Sequence, residues 1–149
     1  MLRRIITEEI AGFMVGITEL AAAVFYENDR AAAFKELNDK MIWHHFAEKY
    51  EEKRNLPKEE ILQQIGAMLE REAPIAGRIG SLDDKDIEFV LEIIRRLGKK
   101  YNWNYSVSFE RFYTSTVCRM MSGAKIGFSA LGTDEIIELF DRSTAEQTR

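Results

Sequence analysis

Apolar residues return every three or four positions along most of this chain, and they almost never alternate. That single regularity constrains the fold most, because a 3.6-residue period buries one face of a helix and cannot bury one face of a strand. Only two prolines, Pro57 and Pro74, interrupt it. The clearest stretch runs from about Thr7 to Tyr26, with Ile6, Ile10, Phe13, Ile17, Leu20 and Val24 at alternating spacings of four and three. Thr7 is placed to cap this helix, and Glu8 and Glu9 complement the positive end of its dipole.

The same reasoning predicts the later elements. A second helix starts at Asn28 or Asp29 and runs to about Arg54. Pro57, read as a first-turn residue, opens a third with Ile61, Leu62, Ile65, Met68 and Leu69 as its core face. It ends before Pro74, and residues 73–81, with Pro74, Gly77 and Gly80, read as a linker too short to separate two domains. A fourth helix spans about Asp83 to Lys99, with Ile87, Val90, Leu91, Ile94 and Leu97 inward and Gly98 weakening its end. Residues 101–107 alternate aromatic and polar side chains, which predicts a short extended segment. Ser108 is the expected cap of a fifth helix carrying Phe109, Phe112, Thr116, Val117 and Met120, with Gly123 as its terminator. Gly127 and Gly132 bracket a loop before a last helix from Thr133, and residues 143–149 are expected to be a disordered tail. The expected fold is all-α, a single-domain bundle of five or six helices over residues 1–142.

Composition narrows the setting. The chain has 149 residues, 46% of them hydrophobic, and one cysteine, Cys118. That is enough apolar content for a packed core, and a lone cysteine forms no internal disulfide. The N-terminal sequence lacks the long apolar core and cleavage site of a signal peptide, so a reducing, cytoplasmic location is expected. From Ile10 to Tyr26 the one charged residue is Glu19. A membrane span of that length would carry a carboxylate near its middle, which disfavours it.

Four features bear on function. Gly12, Gly16 and Ala23 gather on one side of the first helix beside Glu19, and small residues at this spacing admit a second backbone. Together with a helix apolar around most of its circumference, this predicts a homo-oligomer, a dimer, with Gly12, Gly16, Glu19 and Ala23 at its interface. The leading expectation is therefore a non-catalytic helical interaction protein that binds no cofactor and meets another copy of itself or another protein.

The second feature is charge. From Arg95 to Phe128 seven basic residues face one acid, Glu110, a local charge of +6 that leaves −10 for the rest of a chain totalling −4. Tyr101, Trp103, Tyr105, Phe109, Phe112 and Tyr113 are interleaved with them. Cations among aromatic rings suit a phosphate-bearing ligand or single-stranded nucleic acid, with Arg95, Arg96, Lys99, Lys100, Trp103, Tyr105 and Arg111 as the binding residues. The overall negative charge disfavours nucleic acid, and the competing reading is that these cations pair with acids elsewhere in the chain or across a dimer.

Third, both histidines fall together in Trp43-His44-His45-Phe46-Ala47-Glu48. His44 and Glu48 are four apart and His45 and Glu48 three apart, spacings that let an imidazole and a carboxylate share a zinc or iron ion, with Glu19 or Glu52 completing the shell. The competing reading is a histidine hydrogen-bonded in a helix–helix contact. Fourth, Cys118 beside Arg119 and the small-residue run Ser122 to Gly127 are candidates for a reactive thiol and an anion-binding nest, each weaker than its structural alternative. Asp83, Asp84 and Asp86 read as a helix start, since a calcium loop needs a glycine and a glutamate that are missing.

Overall fold

The computed structural model describes residues 6–27, 29–70, 84–121 and 132–147, and these are mostly helical with no strand among them. In chain order the helices are α1 (Glu8–Phe25), α2 (Arg30–Asp39), α3 (Ile42–Glu48), α4 (Tyr50–Lys53), α5 (Lys58–Leu69), α6 (Asp84–Tyr101), α7 (Tyr105–Tyr113), α8 (Thr116–Met121) and α9 (Thr133–Gln147). All-α is correct. Among the described residues nine segments stand where five or six were expected, because the second helix is divided in three and the fifth in two. The residues around Pro74, Gly77 and Gly80, and the run Ser122 to Gly127, lie outside the described residues. The last helix runs to Gln147, through most of the segment expected to be disordered.

α1 is the axis of the fold. Thr7 caps it as expected, its Oγ1 accepting from the Ile10 amide. Eleven of its 18 residues are buried, since α2, α3, α5 and α6 all pack on it. Thr18 bends its hydroxyl back to the Met14 carbonyl at 2.9 Å, so this buried hydroxyl is satisfied within the helix. No single helix among the described residues is long and apolar enough to cross a membrane.

The expected second helix fails at Met41, which stands in the left-handed region at φ 61°. Asn38 and Asp39 just before it are weak helix formers that compete for backbone hydrogen bonds. The break re-aims the chain so that Ile42, Trp43, Phe46 and Ala47 all turn into the core. A left-handed residue costs about 1–2 kcal/mol, and burying a large side chain returns roughly 1.5–3 kcal/mol each, so the break wins.

Residues 101–107 form no extended segment. Asn102, at φ 58°, ends α6, and the Trp103 amide donates to the Gly98 carbonyl at 2.9 Å, closing the helix as a Schellman turn does. Asn104, and not Ser108, then caps α7 by accepting from the Val107 amide at 2.9 Å. Two helices thus meet across a three-residue turn. Elsewhere Pro57 is the residue before α5 rather than within it. Met68 and Met120, expected on core faces, are exposed instead, Met120 with 65% of its surface, while Leu69 and Val117 are buried.

A cleft between two helix pairs

The tight turn at 102–104 brings the carboxyl end of α6 against the amino end of α7, and the break at Met41 sets α3 beside them. Between these elements lies a cleft of about 810 Å³. α2 and α3 contribute Phe34, Asn38, Trp43 and His44 to its walls. α6 contributes Ile94, Arg95, Gly98 and Lys99. Residues 102–106 with Ser108 and Glu110 form the third side, and Ile6 closes one end.

The apolar wall is a set of locked rings. Phe34 stacks on Tyr113 with centroids 4.9 Å apart, and Trp43 meets Phe34 edge-on at 5.8 Å and Phe109 at 5.3 Å. Rings held from several sides keep one orientation, which a binding surface needs. Into this wall are set polar atoms that have no partner: Trp43 Nε1, His44 Nδ1, Arg95 Nε and Ser108 Oγ. Leaving a buried polar group unmatched costs about 1–3 kcal/mol. Four residues carrying that cost around one cleft are a pattern, not scatter.

The sequence candidates divide. Arg95, Lys99, Trp103 and Tyr105 come together in the cleft; Arg96, Lys100 and Arg111 lie outside its lining. Arg96 bonds Glu92 at 3.0 Å and pairs with Asp134, and Lys100 pairs with Asp141, which also accepts from the Tyr101 hydroxyl. Arg95 is held by Glu92 and Glu8. The hydrogen bond from Arg96, with that from Arg95, holds the Glu92 carboxyl below its ordinary range. Internal pairing therefore accounts for much of the basic segment. Arg111 lies over the Trp103 ring, 5.9 Å from its centroid, and Tyr101 stacks on that ring at 4.5 Å. A ring engaged this way offers little face to a nucleic-acid base.

The proposed metal set does not assemble. Among the described residues no three His, Cys, Asp or Glu side chains gather as a metal would require. Consecutive residues on a helix diverge by 100°, so His44 lines the cleft while His45 sits among Lys49, Lys53 and Glu52. Burial lowers the pKa of both imidazoles, which leaves His44 neutral at pH 7. Glu48 is exposed.

The small-residue face of α1 is used within the chain. A Cβ on Gly12 would lie 3.5 Å from Leu91 Cδ2, and one on Gly16 3.8 Å from Ile87 Cδ1, so this face packs on α6. Glu19 is buried and accepts from Arg30 Nε at 2.7 Å. Ala23 is half-buried. Gly12, Gly16 and Glu19 thus have neighbours within the chain. Cys118 is fully buried, and burial together with nearby Glu19 pushes its thiol pKa up, overriding Arg119; it is a core residue rather than a nucleophile.

Sequence reasoning missed Phe34, Trp43, Asn38 and Ser108 as parts of one site. Trp43 and Ser108 had visible polar groups on otherwise apolar faces, but nothing local pairs positions 65 residues apart. Compared with known proteins, the chain matches no family model, no curated protein and no solved structure.

Proposed function

We propose that this protein is a non-catalytic binder of a small, negatively charged molecule, held in the cleft between α3, α6 and α7. The observation that carries the reading is that four residues with a buried, unpartnered polar atom, Trp43, His44, Arg95 and Ser108, all belong to the lining of one cleft. Three of them belong to groups that donate, and Lys99, which makes no ion pair among the described residues, lines the cleft with Arg95, itself held by Glu8 and Glu92, and with one carboxylate, Glu110. Its volume falls in the range of sites that enclose metabolite-sized ligands. The reading takes over the phosphate-ligand alternative from the sequence and places it in a cleft rather than on an open nucleic-acid surface.

A thermal-shift screen of the full chain against phosphorylated, sulfonated and carboxylated small molecules tests it. A ligand at 100 times its Kd adds about 2.7 kcal/mol, which raises Tm by roughly 5–10 °C for a domain of this size. The reading predicts such a shift from an anionic member and none from its uncharged analogue. If every anionic class leaves Tm in place, the reading is wrong.

A further inference from the structure

We infer that α9 is a releasable strap, which lifts from α6 as a unit while the other helices stay packed, and that Asp134 and Asp141 set how readily it lifts. α9 packs chiefly on α6 and α8. Of residues 133–143 only Ile136 and Phe140 are buried, against eleven of the 18 residues of α1. An element that buries so little of itself opens before the core does. A helix of 15 residues is also marginal in water once its packing is lost, so its amides exchange with solvent when it lifts.

The polar seam to α6 parts without stranding a charge. Asp134 takes Arg96, and Asp141 takes Lys100 together with the Tyr101 hydroxyl. Arg96 keeps an acid on its own helix, since its Nε donates to Glu92 at 3.0 Å. Lys100 keeps the Tyr101 ring, whose centroid is 5.9 Å from its nitrogen. The four charged side chains of the seam are 30–92% exposed and already meet water. Separating the buried Glu19–Arg30 pair would instead leave charge in the core. Exposed pairs are weak and are screened by salt, so the seam loosens as ionic strength rises. Lifting also reaches the cleft. Phe140 stands 6.0 Å from the Tyr101 ring and meets Trp103 edge-on at 6.2 Å, and Trp103 lines the cleft.

Hydrogen exchange of the full chain, read peptide by peptide in sub-denaturing urea, tests the inference. The amides of α9 are expected to exchange together, about tenfold or more faster than those of α1, and with little dependence on urea, whereas α1 depends on it steeply. Asp141→Asn keeps the shape of a half-buried side chain and removes its charge; it is expected to speed α9 exchange roughly three- to tenfold. Raising sodium chloride from about 0.02 to 0.5 M is expected to act in the same direction, and less strongly on the variant. Glu138→Gln, which removes the pair with Arg142 inside α9, is expected to change the rate by about twofold or less. An α9 that exchanges as slowly as α1, with the same urea dependence, overturns the inference. So does an α9 rate that ignores both Asp141→Asn and salt. Equal acceleration by Glu138→Gln and Asp141→Asn also overturns it, because the helix would then be fraying rather than leaving α6.

Discussion

A Cβ atom built on Gly98 would lie 3.1 Å from Ser108 Oγ and 3.1 Å from the Trp103 carbonyl oxygen. Gly98 is therefore a close approach of α6 to Ser108 on α7 and to the turn between the two helices, and it lines the cleft. Replacing glycine in a helix by alanine normally gains about 1 kcal/mol. Here the hydroxyl can rotate away, but the backbone carbonyl cannot, because the Trp103 amide is already bound to the Gly98 carbonyl. Gly98→Ala is predicted to destabilise the fold by about 1–3 kcal/mol in urea titrations and to weaken ligand binding as the cleft wall shifts.

Gly16→Ala is the matched opposite. Its Cβ meets only the flexible tip of Ile87 at 3.8 Å, an ordinary contact. The helix-propensity gain then stands alone, and stability should rise by up to about 1 kcal/mol in the same titration. Equal effects at the two glycines would show that the α6–α7 approach is not as tight as described.

Glu19 and Arg30 form a pair with side chains 1% and 4% exposed, and the Tyr113 hydroxyl donates to the second Glu19 oxygen at 3.4 Å. Burial and the Glu19 charge push the Tyr113 pKa well up, so the phenol stays protonated. Arg30→Met strands a buried carboxylate and should cost about 3–5 kcal/mol. Glu19→Gln added to Arg30→Met removes that charge and should recover part of the loss. A double-mutant cycle by chemical denaturation measures it; simple additivity would contradict the pairing.

Met41 pays the left-handed penalty with half its side chain exposed. Met41→Gly removes the Cβ clash but frees the unfolded chain, so the net gain is predicted at up to about 1 kcal/mol, read as a Tm rise of roughly 2–4 °C. A fall in Tm would mean that the Met41 side chain holds the α2–α3 corner.

Burial lowers the pKa of His44 and His45 from the ordinary 6.5. Below pH 6.5 the unfolded chain therefore takes up protons that the folded chain does not, so stability falls as pH drops through 6.5 toward the folded values and is level above. His44→Gln with His45→Gln should flatten that part of the pH–stability curve. An unchanged slope between pH 7 and 5 would assign it to other groups.

Helices were legible because their signal is local. Thr7, Ile10, Ile17 and Leu20 act where the spacing put them, and Phe109 and Phe112 are fully buried as their period required. The corner at Met41 was not legible: a non-glycine left-handed residue is set by the core it turns toward, not by its neighbours. Ser108 and Asn104 are both good caps, and the choice between them was made by the Schellman turn at Asn102. The cleft was half legible. Arg95, Lys99, Trp103 and Tyr105 stood out by charge and ring content, whereas Asp134 and Asp141, which take Arg96 and Lys100 out of contention, lie some forty residues away on α9.

Trp43 and Trp103 are the two tryptophans of the chain, and both line the cleft. Intrinsic fluorescence therefore reports on this site without a label. Titrating phosphorylated, sulfonated and carboxylated small molecules into the full chain at low salt should give, for an anionic member, a saturable change in tryptophan emission that its uncharged analogue gives only at much higher concentration. A flat signal across that whole set, in a protein that still unfolds cooperatively, would contradict the account.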